Sequence, residues 1–370
     1  METLDINENI SSIEELADDE LDSLYELQEE VISTLDDNTE VLDTFNDVLE
    51  VSNDNEHQIQ VLDSDIQFSV IKNYGENLTE KEYITNPAIE RDNEINEMIL
   101  ALITPDKGAI LTGKAGIGKT AIVEGLAYRI QKGEVPDALK NWQIIKINIT
   151  SLLGSTTENG NTDSRLEILL KELKMTKDII LFIDEVHLLV NKATSNNNID
   201  FANMLKPYLD RGTIKMIGAT TTEEYEAYIL RDRAFLRRFI KIDIKEADTE
   251  TVVKILMGTY PKYEKQLNVK MAYTDFQKEN IFRFLTEMTS EYKRVYEISA
   301  RYPDITLTLV ANAFSYAVFE NAKEVRIKHF YKAVCNAKNI YPDTLKKEIA
   351  RFKVEFKTML EDEEVDLDDI

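Results

Sequence analysis

Residues Gly113-Lys114-Ala115-Gly116-Ile117-Gly118-Lys119-Thr120 fit the pattern G-x-x-x-x-G-K-[ST], with an extra glycine at Gly116. An apolar run, Ala109-Ile110-Leu111, precedes them, and a helix-compatible stretch opens at Ala121. Strand, loop and helix in that order are the setting a phosphate-binding loop needs. Glycines let the backbone curl so that successive N–H groups face phosphate oxygens, and the helix N-terminus adds partial positive charge. Lys119 is expected to reach the β- and γ-phosphates, and the Thr120 hydroxyl to take a place on Mg²⁺. The expected ligand is a nucleoside triphosphate.

A second group of residues carries the matching acids. The run Ile179-Ile180-Leu181-Phe182-Ile183 ends in Asp184 and Glu185. Sheets in α/β proteins present acids to ligands at the carboxyl ends of their strands. Asp184 is expected to hold Mg²⁺ through water, and Glu185 to orient and deprotonate the attacking water. Alone the run says little, since every strand ends somewhere polar. A phosphate loop about 65 residues earlier makes it specific. A third run, Ile214 to Ile217, continues through Gly218 and Ala219 into Thr220 and Thr221. Thr220 suits a lytic water or a γ-phosphate contact, whereas Thr221 or Thr222 better suits a helix cap. Finally, Phe235-Leu236-Arg237-Arg238-Phe239 sets two arginines before the last apolar run, where a ring-forming protein would have a subunit edge.

These residues need a frame. Strand-like runs at Ala109–Leu111, Ile144–Ile149, Ile179–Ile183, Ile214–Ile217 and Phe239–Ile244 alternate with helical patterns. Such alternation predicts an α/β fold with a parallel sheet flanked by helices. From about Asp248 to Ala337 the pattern is helical without a comparable strand, so an all-helical lid subdomain is expected. The full division reads as an acidic arm, helical or disordered, over 1–70 and a linker over 71–86. An α/β nucleotide-binding domain follows over 87–247, a helical lid over 248–345, and a charged helix with an acidic tail over 346–370.

The net charge of −26 belongs to the ends of the chain. Residues 1–70 hold 22 acids and no Lys or Arg, and residues 361–370 hold seven more acids. The stretch between sets 40 acids against all 43 bases. Acidic arms disfavour contact with nucleic acid or anionic membrane and leave the body's preference open. Leu21, Leu24, Val31, Leu35, Leu42, Phe45 and Leu49 form a weak apolar stripe along the arm, which suits recruitment of a protein partner or client. One cysteine, Cys335, excludes an internal disulfide and a multi-cysteine metal site. It reads as a buried small apolar residue. The acidic N-terminus is unlike a signal peptide and no run is long enough to span a bilayer, so a soluble, cytoplasmic protein is expected.

The body resembles the first ATPase domain of the Clp-type unfoldases, in the AAA+ superfamily. The matching stretches are PAIERDNEI, GKAGIGKTAIVEGLAYRIQKGEVPDALK, IILFIDEVHLLV, NMLKPYLDRGTIKMIGATTTEEYEAYI and RDRAFLRRF. They cover about residues 87–245, and the lid extends the likeness to about 340. The resemblance implies ATP as ligand, Thr220 as first sensor, and Ala88 and Ile89 lining the adenine pocket. It also implies that Arg237 and Arg238 act as arginine fingers on a neighbour's γ-phosphate, in a homo-oligomer that is typically a ring of six.

The departures carry weight too. Where such domains have a pore loop with an aromatic residue, an ungapped count from Arg165-Leu166 reaches Thr157-Glu158-Asn159-Gly160. Glu158 offers no large apolar surface to grip a polypeptide. The family's proline–aspartate–lysine becomes Pro303-Asp304-Ile305, with Arg301 near enough for a second sensor. A single phosphate loop implies a single ring, and an acidic arm stands in place of the family's globular N-terminal domain. Three readings follow: an oligomeric protein-remodelling ATPase or chaperone, a nucleotide-switched assembly or regulatory ATPase that threads no polypeptide, and, more weakly, an ATPase in DNA transactions.

Overall fold

The structure, a computed structural model, describes residues 69–154, 162–176, 178–190, 201–210, 214–295 and 301–365. The arm, save its last two residues, and the Glu158 loop lie outside the described residues. Six strands form the main sheet: β1 (Gly75–Asn77), β2 (Gly108–Thr112), β3 (Gln143–Ile147), β4 (Ile179–Asp184), β5 (Lys215–Thr220) and β6 (Phe239–Asp243). Their order is β1-β3-β4-β5-β2-β6. The last five are parallel and β1 is antiparallel to β3. Every residue of β2 is buried, which is why it reads as an unbroken apolar run: helices cover the sheet on both faces. On one face Ala109, Leu111, Ile144, Ile180, Phe182 and Ile217 pack with Ile95, Met98, Ile122 and Leu126. These come from helices Asp92–Ile103 and Lys119–Lys132. On the other face Ile110, Leu181, Ile183 and Met216 pack with Leu169, Leu173, Leu205 and Phe235.

Several expectations change in detail. The linker expected over 71–86 is partly structural: helix Ser69–Tyr74 leads into β1, which adds an edge strand to the sheet. The buried Glu172 carboxylate accepts the N–H groups of Val70 at 2.9 Å and Ile71 at 2.8 Å, tying this helix to the body. The run expected to end at Ile149 stops at Ile147, and Ile149 opens a short helix, Ile149–Gly154. In the helical part, Lys270–Met271 pairs with Glu324–Val325 as two short parallel strands.

From Thr249 onward the chain forms its own apolar core, built from helices Thr249–Leu267, Asp275–Met288, Asp304–Phe319 and Ile327–Cys335. Helices Pro342–Glu355 and Lys357–Asp362 seal it. The charged appearance of these two hides Phe352, Phe356 and Leu360, all buried in that core. The stretch expected as a separate charged tail therefore packs into the lid as far as residue 365. Among the described residues no helix is long and apolar enough to cross a membrane.

Candidate nucleotide site

β2 lies between β5 and β6, so the chain leaves β2 beside a strand that comes much later in the sequence. Crevices of this kind, at the carboxyl ends of parallel strands where the order switches, are where α/β sheets bind ligands. Here the loop after β2, the acids at the end of β4 and Thr220 at the end of β5 meet. They line a cavity of about 920 Å³ together with Ala88, Ile89 and Asp304.

The loop curls as the glycines allow. Gly116 and Gly118 have φ of 76° and 96°, left-handed values that disfavour any side chain. A Cβ at Gly116 would also stand 3.0 Å from that of Asp304, the first residue of a lid helix. The loop ends at Gly118, and helix Lys119–Lys132 begins at the cavity, which Gly118, Lys119, Thr120 and Ala121 line; its first N–H groups have no partner within the helix. Lys119 Nζ donates to the carbonyls of Gly113 at 2.8 Å and Lys114 at 3.0 Å, arching over its own loop. Burial pushes its pKa down, against the attraction of Asp184, Glu224 and Glu223.

Thr120 Oγ1 donates to Asp184 Oδ2 at 2.8 Å. Hydroxyl and carboxylate together form an all-oxygen pair beside the phosphate cradle, the donor chemistry Mg²⁺ takes. The residues present fit that ion. Lys146 of β3 also approaches Asp184, its Nζ 3.7 Å from the same Oδ2 and 5.8 Å from the centre of the Phe182 ring. Glu185 is exposed, and its backbone is left-handed at φ 59°, the turn by which it swings into the cavity. Thr220 is buried, and its Oγ1 lies 3.2 Å from His187 Nδ1 and donates to Glu224 Oε2 at 3.1 Å. Thr221, not Thr220, caps the next helix, Thr222–Ala227, in a capping box with Glu224.

Ala88 and Ile89 form one wall, and Ile89 packs so closely on Gly258 of the lid that a Cβ there would come within 2.0 Å of it. Ile255, Tyr263 and Leu307 of the lid line the cavity as well. Arg91 Nη2 spans the Ile117 carbonyl at 3.3 Å and the Lys245 carbonyl at 3.2 Å, joining the loop to the chain beyond β6.

Arg237 and Arg238 do not line this cavity, and they differ from one another. Arg237 is exposed, whereas Arg238 is buried and its guanidinium donates to the Ala234 carbonyl. Arg301 pairs with Glu291 at 3.2 Å and is also absent from the cavity, which receives Pro303 and Asp304 instead. The sequence reading missed Glu224, Lys146 and Asp304. Two of them left a trace: Asp304 stands in the counterpart of the family's proline–aspartate–lysine, and Glu224 lies three residues after Thr221, the capping-box spacing, a sign of a helix start that says nothing of a site.

The model of the ATPase family associated with various cellular activities (AAA) matches residues 109–244. A probable ATP-dependent Clp protease ATP-binding subunit of Chlamydia pneumoniae is 40% identical over 210 residues, 56% of this chain and 25% of that protein. The chaperone protein ClpB of Helicobacter hepaticus is 39% identical over 219 residues, 58% of this chain and 26% of that protein. Among solved structures, Hsp104 with ATPγS and FITC casein aligns with a TM-score of 0.63 at 31% identity, covering 78% of this chain and 48% of that one. The S. cerevisiae Hsp104–ADP complex aligns at 0.59 with 32% identity, covering 76% and 45%. The match thus spans about a quarter of the length of these curated relatives and about half of the solved chains. Residues 109–244 thus match the model of the AAA family of ATPases, and the chain is similar over part of its length to a Clp protease ATP-binding subunit, to ClpB and to Hsp104.

Proposed function

We propose that this chain binds ATP with Mg²⁺ and hydrolyses it to ADP and phosphate. The observation that supports this most is the convergence of Lys119, Thr120, Asp184, Glu185 and Thr220 on one cavity. The N–H groups from Gly113 to Ala121 would cradle the phosphates, and Lys119 would exchange its two carbonyl partners for β- and γ-phosphate oxygens. Ala88 and Ile89 would flank the adenine. Thr120 and Asp184 would hold Mg²⁺, which when bound neutralises charge on the β- and γ-oxygens. Glu185, exposed to the cavity, would take the proton of the attacking water, and Thr220 would fix that water's place. A Glu185→Gln variant that hydrolyses ATP at the wild-type rate would overturn this assignment.

Neither arginine of the pair reaches the cavity of its own chain, which supports a role on a neighbour's nucleotide in a homo-oligomer, a ring of six by resemblance. Its exposure favours Arg237 as the finger, while Arg238 holds the short helix Arg233–Leu236 from beneath. The α/β body over 87–247 and the lid over 248–345 would clasp the nucleotide between them, since both line the cavity. The assembly would act as a protein-remodelling motor on a client recruited by the acidic arm. A second reading, a nucleotide-switched assembly that threads no polypeptide, is favoured by Glu158 at the place of the pore aromatic. ATP-driven unfolding of a tagged, folded reporter separates the two: robust unfolding supports the motor, and turnover without unfolding supports the switch.

A further inference from the structure

Glu224 belongs to none of the sequence patterns for phosphate, metal or water, yet it lines the nucleotide cavity. One oxygen, Oε2, gathers three neighbours: it accepts from Thr220 Oγ1 at 3.1 Å and from the Thr221 N–H at 3.0 Å, and His187 Nδ1 lies 3.2 Å away. His187 Nδ1 is equally 3.2 Å from Thr220 Oγ1, so imidazole, hydroxyl and carboxylate close a triangle. Thr220 and His187 are both buried, which leaves little room for other arrangements. Burial pulls the Glu224 pKa up, but the hydrogen bonds from Thr221 and the nearness of His187 and Thr220 outweigh it and hold it below the ordinary value. The carboxylate is therefore ionised at neutral pH and can only accept.

A threonine hydroxyl has one proton. Directed at Glu224, it is not available to a γ-phosphate oxygen, itself only an acceptor, and what Thr220 turns toward the cavity is lone pairs. Water is the partner there with protons to give. We propose that Glu224 is a positioning residue for the hydrolysis proposed above, on which this inference rests: it orients the Thr220 hydroxyl so that its oxygen accepts from the attacking water. The same oxygen reaches Glu185, the proposed general base, by a second route. His187 stands two residues after Glu185, on the turn Val186–Leu189 that starts at that residue's left-handed backbone. Its ring also stacks on Tyr228, with centroids 6.0 Å apart. Holding His187 thus holds the turn that aims Glu185, and one carboxylate sets both groups that would handle the water.

This arrangement has a signature that a purely structural cap lacks. A carboxylate in a phosphate cavity repels the nucleotide, so removing it should leave ADP binding intact or tighter while turnover falls. The experiment uses the full chain and measures kcat and KM for Mg-ATP, and Kd for a fluorescent ADP analogue. Glu224→Ala is expected to lose about tenfold or more in kcat with Kd within about twofold of wild type. Glu224→Gln keeps an acceptor oxygen for Thr220 and Thr221 and is expected to retain at least about a third of wild-type kcat. Adding Glu224→Ala to Thr220→Val should cost less than the product of the two single effects, since part of the role of Glu224 runs through Thr220 and the remainder through His187. A kcat for Glu224→Ala within twofold of wild type overturns the inference alone, provided Glu185→Gln abolishes turnover in the same assay. A fall in kcat matched by weaker ADP binding and a lower melting temperature overturns it in favour of a structural cap. A wild type that binds ATP but does not turn it over overturns both the inference and the reading beneath it.

Discussion

Lys119 arches over the carbonyls of its own loop, so its ammonium is already aimed at the space above the glycines. Lys119→Ala should therefore remove ATP binding, measured with a fluorescent analogue, because a charge-assisted contact to two phosphates is lost at once. Glu185→Gln should bind ATP as wild type does and lose about a hundredfold or more in turnover, because an amide cannot take the water's proton. Lys146 makes a different prediction. Its ammonium shares Asp184 Oδ2 with Thr120 and draws on the negative charge the ion needs. Lys146→Met should tighten Mg²⁺ binding to the nucleotide complex by about two- to tenfold, read from the Mg²⁺ dependence of analogue fluorescence. Unchanged or weaker Mg²⁺ binding would show that Lys146 acts only through its packing on Phe182.

The lid helices are held by elements whose sequences conceal their role. Phe352 is fully buried, with its ring 5.1 Å from Phe284 and 4.7 Å from Phe356, although its helix reads as charged. Phe352→Ala should cost about 3–5 kcal/mol, seen as a lower denaturation midpoint of the lid, because the cavity left behind cannot be refilled. At the end of helix Asp304–Phe319, Glu320 receives Lys328 and Lys332, each at 2.7 Å, and His329 at 3.3 Å. Burial pulls its carboxyl up, but the hydrogen bonds from Lys328 and Lys332 outweigh it and hold the pKa at about 2, below the ordinary carboxylate value. The folded pKa is the lower one, so the cluster's stabilisation is fully present above about pH 4.5 and is lost as pH falls toward 2. Glu320→Gln should flatten the acid limb of the stability profile in that window. An unchanged limb would mean that the cluster adds nothing.

At the scale of the whole molecule the question is whether one chain is a complete catalyst. The cavity of a single chain is lined by the loop from Ala115 to Thr120, Asp184, Glu185 and Thr220 but by neither arginine of the 237–238 pair. Mixing Lys119→Ala chains with Arg237→Ala chains should therefore restore part of the turnover that each lacks, since some interfaces regain both parts. Arginine fingers are worth about 10³-fold or more in turnover, so even a small share of repaired interfaces is measurable. Turnover per chain that stays constant on dilution to monomer would remove the idea. Deleting residues 1–67 should leave nucleotide affinity unchanged, because the cavity is lined from Lys81 onward, and should weaken capture of a salt-sensitive partner. A deletion variant that keeps its partner at unchanged affinity would move the recruiting surface to the body.

The phosphate loop, the Asp184-Glu185 pair and the strand leading into Thr220 were legible because each is local. A glycine-rich turn, an apolar run and its polar end are adjacent in the chain, and their chemistry follows from residue type and spacing. The five parallel strands were legible for the same reason, since buried strands must be apolar throughout. What the sequence left open depends on contacts between distant residues. β1 is three residues long and becomes a strand only because β3 offers an unpaired edge. Phe352, Phe356 and Leu360 are too widely diluted by charge to announce a core, and only the facing helices bury them. Adjacent in sequence, Arg237 and Arg238 look alike; one is exposed and the other buried because consecutive residues leave a short helix in different directions. The capping-box spacing of Glu224 was local and visible. That its carboxylate meets His187 from the end of another strand, and Thr220 between them, was decided by the parallel register of β4 and β5 alone.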